Sequence, residues 1–178
     1  LGGGVSIGSH RKGKVVEVNN ALDGEGPFSP ERSGTCPAQQ LAKLSYSGKY
    51  TYEQMKLMIT GKGGLTAHLG TNDVREVVKM IENGDKKAEL VLRAMCYQVA
   101  KSILSGFAAL NGEADAIIIT GGIAHNEPYI INPIKSYLGK IVKNIPFFVV
   151  PGEEELPALA AGVLRVLRNE EKAKEYDS

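Results

Sequence analysis

The chain has 178 residues, of which 43% are hydrophobic, 23% charged and 6% aromatic, a composition that fits a soluble globular domain and argues against disorder. Lys and Arg number 21 against 20 Asp and Glu, for a net charge of +1, so no basic surplus exists to neutralise a nucleic-acid backbone, and nucleic acid is not an expected partner. No apolar run approaches the roughly 20 residues of a membrane-spanning helix, so no membrane role is expected. Cys36 and Cys96 stand apart without metal-ligand spacing, which fits a reduced, cytoplasmic setting.

The chain starts Leu1-Gly2-Gly3-Gly4 with no charged leader, and a start inside a glycine loop reads as part of a longer polypeptide. Residues 4–10 alternate apolar with small or polar side chains, Arg11-Lys12-Gly13 signals a turn, and residues 14–19 read as a second strand; together they predict a β-hairpin. Residues 23–37 carry Gly24, Gly26, Pro27 and Pro30, the composition of an ordered loop long enough to serve binding. Short helices are predicted from Pro37 to Leu44, and over Tyr52 to Ile59 behind a Thr51 cap. A glycine-rich stretch, Gly61 to Gly64, follows, and Asn72 or Asp73 caps a further helix to about Glu82.

The strongest helical pattern covers residues 86–110, where Ala88, Val91, Leu92, Met95, Val99, Ile103, Phe107 and Leu110 recur at three- and four-residue spacing. Residues 116–120 form a continuous apolar, β-branched run, expected as a strand buried on both faces. Pro128 opens a helix to about Gly139, residues 147–150 repeat the buried-strand pattern, and a last apolar helix runs from Leu156 to Leu167. The order predicts an α/β fold, a sheet flanked by helices with parallel pairing among its later strands.

Five features carry candidate chemistry. Gly2, Gly3 and Gly4 expose amides that can cradle phosphate oxygens, or they are a flexible end. Gly121 and Gly122 close the strand 116–120 where α/β sheets bind ligands, or they form only a tight turn. Arg32, on a loop fixed by Gly and Pro, can meet a transferring phosphoryl group with its planar fork, or it clasps Glu31 or Asp23 within the loop. Glu153-Glu154-Glu155 opens the last helix, as a magnesium site or as carboxylates favoured by the helix dipole. Asp73 is a good N-cap that could also hold a ribose hydroxyl. His10, His68 and His125 lack partners at ligand spacing. No Walker A motif and no spaced dinucleotide fingerprint occurs.

In this order the motifs resemble those of the acetokinase family. Leu1-Gly2-Gly3-Gly4-Val5-Ser6 resembles its phosphate motif, which normally begins with a histidine one position earlier. The stretch from Asp23 to Thr35 is similar to the catalytic-arginine loop in the form carried by the family's butyrate-specific members. Ile119 to Pro128 resembles the adenosine motif, and Pro151 to Leu156 the magnesium-associated stretch. The resemblance implies the actin-like ATPase (ribonuclease H-like) fold, with residues 1–178 as the C-terminal nucleotide-binding domain of a two-domain kinase.

It also implies ATP/ADP and Mg2+ as cofactors, and a short-chain carboxylic acid, butyrate, as acceptor, with acetate, propionate or isobutyrate as alternatives. A nucleotide-binding module without turnover is a further alternative. The implied roles are Arg32 on the phosphoryl group in flight, and Gly2, Gly3 and Gly4 on the phosphates. Asp73 and Arg75 fall to the ribose or adenine, Gly121, Gly122, Ile123 and Asn126 to the adenine pocket, and Glu154 to magnesium. The complete enzyme is expected to be a homo-oligomer.

Overall fold

The computed structural model describes residues 1–152 and 155–175. Strands β1 (Gly8–Arg11) and β2 (Lys14–Val18) form an antiparallel hairpin with an irregular register between Ser9 and His10. Lys12 and Gly13 both take positive φ, 50° and 76°, the conformation whose twist matches a two-residue hairpin. The long loop then runs to α1 (Ala38–Ser45) and α2 (Tyr52–Thr60). Thr51 and Gln54 close α2 with a reciprocal capping box. A short α3 (Gly64–Leu69) leads to α4 (Val74–Glu82) and the 24-residue α5 (Lys86–Ala109).

The second half is a βαβ unit. Strand β3 (Ile117–Gly121) pairs in parallel with β4 (Phe147–Pro151), Ile117 opposite Phe147 and Gly121 opposite Pro151. The crossover carries a 3-10 turn at Gly122–His125, a π-helical turn at Glu127–Ile131 and α6 (Asn132–Leu138). Helix α7 (Glu155–Leu167) follows.

Helix α5 is the spine. Its Leu92, Met95, Cys96, Val99 and Ala100 are buried together with Ile130, Ile131, Ile134 and Leu138 of the crossover. Helices α3, α4 and α6 and the hairpin all lie against it. The hairpin comes close because residue 106 is glycine: Ser9 Oγ donates to the Gly106 carbonyl at 3.1 Å, and a Cβ there would sit 2.6 Å from that hydroxyl.

Five expectations change. The first strand begins only at Gly8, because residues 2–4 form the glycine loop and the backbone of Val5 and Ile7 bonds the Asn19 side chain rather than a partner strand. Helix α3 was not expected, since glycines at positions 63 and 64 read as a loop; they lie where its first turn meets neighbouring backbone. The single helix from Pro128 resolves into a π-helical turn and α6.

Finally, β3 and β4 are not buried on both faces. Ile118 is 62% exposed and Phe148 54%, while Ile117 and Ile119 face the core. The strands form two separate two-stranded sheets rather than one. No helix among the described residues is long and apolar enough to cross a membrane.

Candidate functional site

The glycine loop lies at the carboxyl end of β3. The amine of Leu1 donates to the Thr120 carbonyl at 2.7 Å, and the Leu1 carbonyl accepts from Ile123 N at 3.2 Å. The fit needs glycine at 121, whose φ is +94° and whose Cβ would lie 2.3 Å from the Leu1 oxygen. Gly2 N donates to the Gly4 carbonyl at 2.9 Å and tightens the loop. No acceptor among the described residues takes the amides of Gly3 or Gly4, so both remain available to an anion.

The arginine turn packs on that loop. Ser29 is fully buried; its hydroxyl donates to the Gly3 carbonyl at 2.6 Å and accepts from Arg32 N at 3.1 Å. Glu31 N also reaches the Gly3 carbonyl, at 3.2 Å. The outer side of the turn is held by the start of α3. Gly63 N, Leu65 N and Thr66 N donate to the carbonyls of Glu31, Ser29 and Pro30 at 2.9, 3.0 and 3.0 Å. The Arg32 carbonyl takes Ser29 N at 3.0 Å. Every carbonyl from Ser29 to Arg32 is therefore occupied, and the turn has no slack.

Arg32 itself clasps neither Glu31 nor Asp23. Asp23 pairs with Asn20 at 2.7 Å and Glu31 takes Asn72 Nδ2 at 2.6 Å. The Arg32 guanidinium instead lies over Gly4, so close that a Cβ there would stand 1.7 Å from Nη1. Its Nε is buried with no hydrogen-bond partner among the described residues. A buried donor left unpaired costs about 1–3 kcal/mol, and more when charged, and Arg32 Nε is the one buried side-chain nitrogen or oxygen in that condition among the described residues. It lines a cleft of about 480 Å³ with Gly4, Ser6, Val18, Asn19, Asn20, Ala21 and Leu22.

The other assigned residues lie on this cluster's flanks or outside it. Asp73 caps α4 by accepting from Arg75 N at 2.8 Å, and its carboxylate takes the Arg75 guanidinium at 2.6–3.1 Å. The Arg75 hydrogen bonds pull the Asp73 carboxyl down to about 2, so the two residues satisfy each other. Their segment joins the arginine turn through Asn72 and Glu31.

Gly121 adjoins the glycine loop through Leu1, while Ile123 is buried and its backbone N is taken by the Leu1 carbonyl. Asn126 donates N and Nδ2 to the Ile123 carbonyl at 3.0 and 3.3 Å. Glu154 lies outside the described residues. The chain approaches it from Gly152, whose backbone bonds Gly121 in both directions.

Three contributors escaped the sequence reading. Asn19 ties strand to loop, with Oδ1 accepting from Ile7 N and Nδ2 donating to the carbonyls of Val5 and Glu25. Ser29 and the Gly63-Gly64 pair fix the arginine turn. Only Ser29 left a local signal, since a Ser-Pro step favours turn initiation through its hydroxyl.

The chain is 52% identical over 176 residues to a probable butyrate kinase of Clostridium botulinum strain Alaska E43, and 51% identical to that of strain Eklund 17B. Each match covers 99% of this chain and 48% of the relative, so the chain spans about half the length of these curated relatives. Among solved structures, a propionate kinase from Francisella tularensis superposes with a TM-score of 0.76 at 28% identity, over 88% of this chain and 45% of that one. Porphyromonas gingivalis acetate kinase gives 0.79 at 24% identity, over 94% and 47%.

The fold is thus the actin-like ATPase fold of these kinases. The family model for the acetokinase family matches residues 1–141, a span that holds the glycine loop, the arginine turn and the Gly121-Gly122 turn, and the chain belongs to the acetokinase family.

Proposed function

We propose that these residues form the ATP-side half of a kinase that transfers the γ-phosphoryl group of ATP to a short-chain carboxylate, with butyrate as the acceptor. The observation that carries the reading is Arg32: a guanidinium laid on the glycine loop, with Nε buried and unpaired. Family membership supports phosphoryl transfer to a carboxylate. The names of the relatives at 52% and 51% identity favour butyrate over acetate, propionate or isobutyrate. In this reading the 178 residues are the C-terminal nucleotide-binding domain of a two-domain, cytoplasmic, homo-oligomeric enzyme, and the chain alone makes negligible acyl phosphate.

The chemistry asks little of the protein beyond position and charge. A carboxylate oxygen forms a bond to the γ-phosphorus as the bond to the β-phosphate oxygen breaks, giving acyl phosphate and ADP. The acid is already ionised at neutral pH, so no base is required. Arg32 neutralises the charge spread over the phosphoryl oxygens in flight, and the Gly3 and Gly4 amides hold the phosphates still. Gly121, Gly122, Ile123 and Asn126 would seat the adenine.

Asp73 and Arg75 would reach the ribose only by giving up part of their mutual pairing. Magnesium supplies further charge neutralisation when bound with the nucleotide, and Glu154 is the residue proposed to hold it. No three potential ligands gather among the described residues, but an ion that keeps its waters and takes phosphate oxygens needs only one or two carboxylates.

The test uses the complete enzyme, with acyl phosphate trapped by hydroxylamine over a panel of acetate, propionate, butyrate and isobutyrate. Arg32→Ala is expected to lower kcat by about 10³-fold or more while ATP binding weakens far less. Equal rates in variant and parent would remove Arg32 from the reaction. A better rate on another acid would reassign the acceptor and leave the kinase reading intact.

A further inference from the structure

Two parts of the site must hold a fixed separation for in-line transfer: the glycine loop that carries the phosphates and the arginine that meets the moving group. In this chain one side chain spans them. The Ser29 hydroxyl donates to the Gly3 carbonyl at 2.6 Å and accepts from Arg32 N at 3.1 Å. It is fully buried, so water cannot substitute for either partner. No other side-chain hydrogen bond joins the two segments among the described residues, and the backbone adds only Glu31 N to Gly3 O at 3.2 Å.

From this we infer that Ser29 is a positioning residue for phosphoryl transfer, setting the reach of Arg32 over the glycine loop. The inference rests on the proposed kinase reading and adds a residue to it. Ser29 touches no substrate and moves no proton. Its hydroxyl holds the Gly3 carbonyl toward the turn, and because that peptide is trans the Gly4 amide in the same peptide points the opposite way. The same hydroxyl anchors the backbone from which the Arg32 side chain springs. The outer face of the turn is held independently by Gly63, Leu65 and Thr66. Loss of the hydroxyl therefore loosens the inner joint without releasing the turn.

The experiment compares Ser29→Ala and Ser29→Thr with the parent in the complete enzyme. In Ser29→Ala, kcat is expected to fall by about 10²-fold, the scale of an ångström's misplacement of a reacting group, with KM for ATP changed less than about threefold. Ser29→Thr, which keeps the hydroxyl, is expected to recover at least about a tenth of the parental kcat. A purely structural serine would instead lower the melting temperature and leave kcat of the folded enzyme unchanged, and that result overturns the inference.

Hydrogen exchange provides a readout independent of turnover. In Ser29→Ala, amides in residues 2–6 and in 29–34 should both exchange faster, while those of α5 keep parental rates. Acceleration of neither segment, or of only one, also overturns the inference. A parent that forms no acyl phosphate from any acid refutes the kinase reading instead, and the exchange result still decides whether Ser29 joins the two segments.

Discussion

Replacing Gly4 with alanine tests the site through a single methyl group. A Cβ at position 4 would lie 1.7 Å from Arg32 Nη1 and 2.5 Å from Cζ. Ordinary contact needs about 3.5 Å, so the guanidinium must retreat by roughly 2 Å. The backbone is spared, because the displaced atoms are the far end of a flexible side chain. At an effective dielectric near 20, a unit charge attracts a phosphoryl oxygen by about 4 kcal/mol at 4 Å and about 2.8 kcal/mol at 6 Å. The loss of about 1.4 kcal/mol corresponds to tenfold in rate, and lost hydrogen-bond alignment extends it toward 10²-fold.

Gly4→Ala in the complete enzyme is therefore expected to lower kcat for acyl phosphate formation by about 10- to 100-fold, with a melting temperature within about 2 °C of the parent. In the Arg32→Ala background the extra methyl should cost almost nothing, since the side chain it displaces is gone. Parental kcat in Gly4→Ala would refute the placement of Arg32 over the glycine loop. Full additivity of the two substitutions would refute the mechanism by which the methyl acts.

Gly64→Ala should behave in the opposite way. Its φ is +55° and its Cβ would stand 1.7 Å from the Ser29 carbonyl oxygen, so backbone must move, and a loss of more than about 2 kcal/mol by urea unfolding is expected. The two cysteines should separate cleanly in a thiol titration at pH 8. Exposed Cys36 reacts at once, whereas burial pushes the Cys96 thiol up to about 12, so Cys96 should react only in denaturant.

That same shift makes Cys96 a stabilising neutral thiol below about pH 9, with its contribution lost as pH rises from 9 toward 12. Asp73 carries the reverse sign. Held at about 2 against an ordinary 3.8 by the Arg75 hydrogen bonds, it supports α4 fully above pH 4 and loses that support as pH falls toward 2. A carboxyl NMR titration should move its midpoint up toward 3.8 in Arg75→Ala; an unmoved midpoint would remove Arg75 as the cause.

The local parts of this site are legible in the sequence and the joints are not. Gly121 follows a β-branched run and Thr51 precedes a helical one, so each declares its role within a few residues. The meaning of Gly64 depends on a carbonyl 35 positions earlier, at Ser29, which no periodicity encodes. The same limit explains why β3 was expected to be buried on both faces. Ile117, Ile118 and Ile119 are alike in the sequence, yet Ile118 is 62% exposed, because burial is set by what covers a face and not by the residue that forms it.

The case of Arg32 is instructive in the other direction. From the sequence, a clasp with Glu31 or Asp23 competed with a role on phosphate. The structure removes both clasp partners by giving Glu31 to Asn72 and Asp23 to Asn20. What distinguishes the arginine is thus a contact it does not make, within a turn whose every carbonyl is occupied. Preorganisation of this kind stabilises a transition state because the cost of ordering is met on folding, before the substrate arrives.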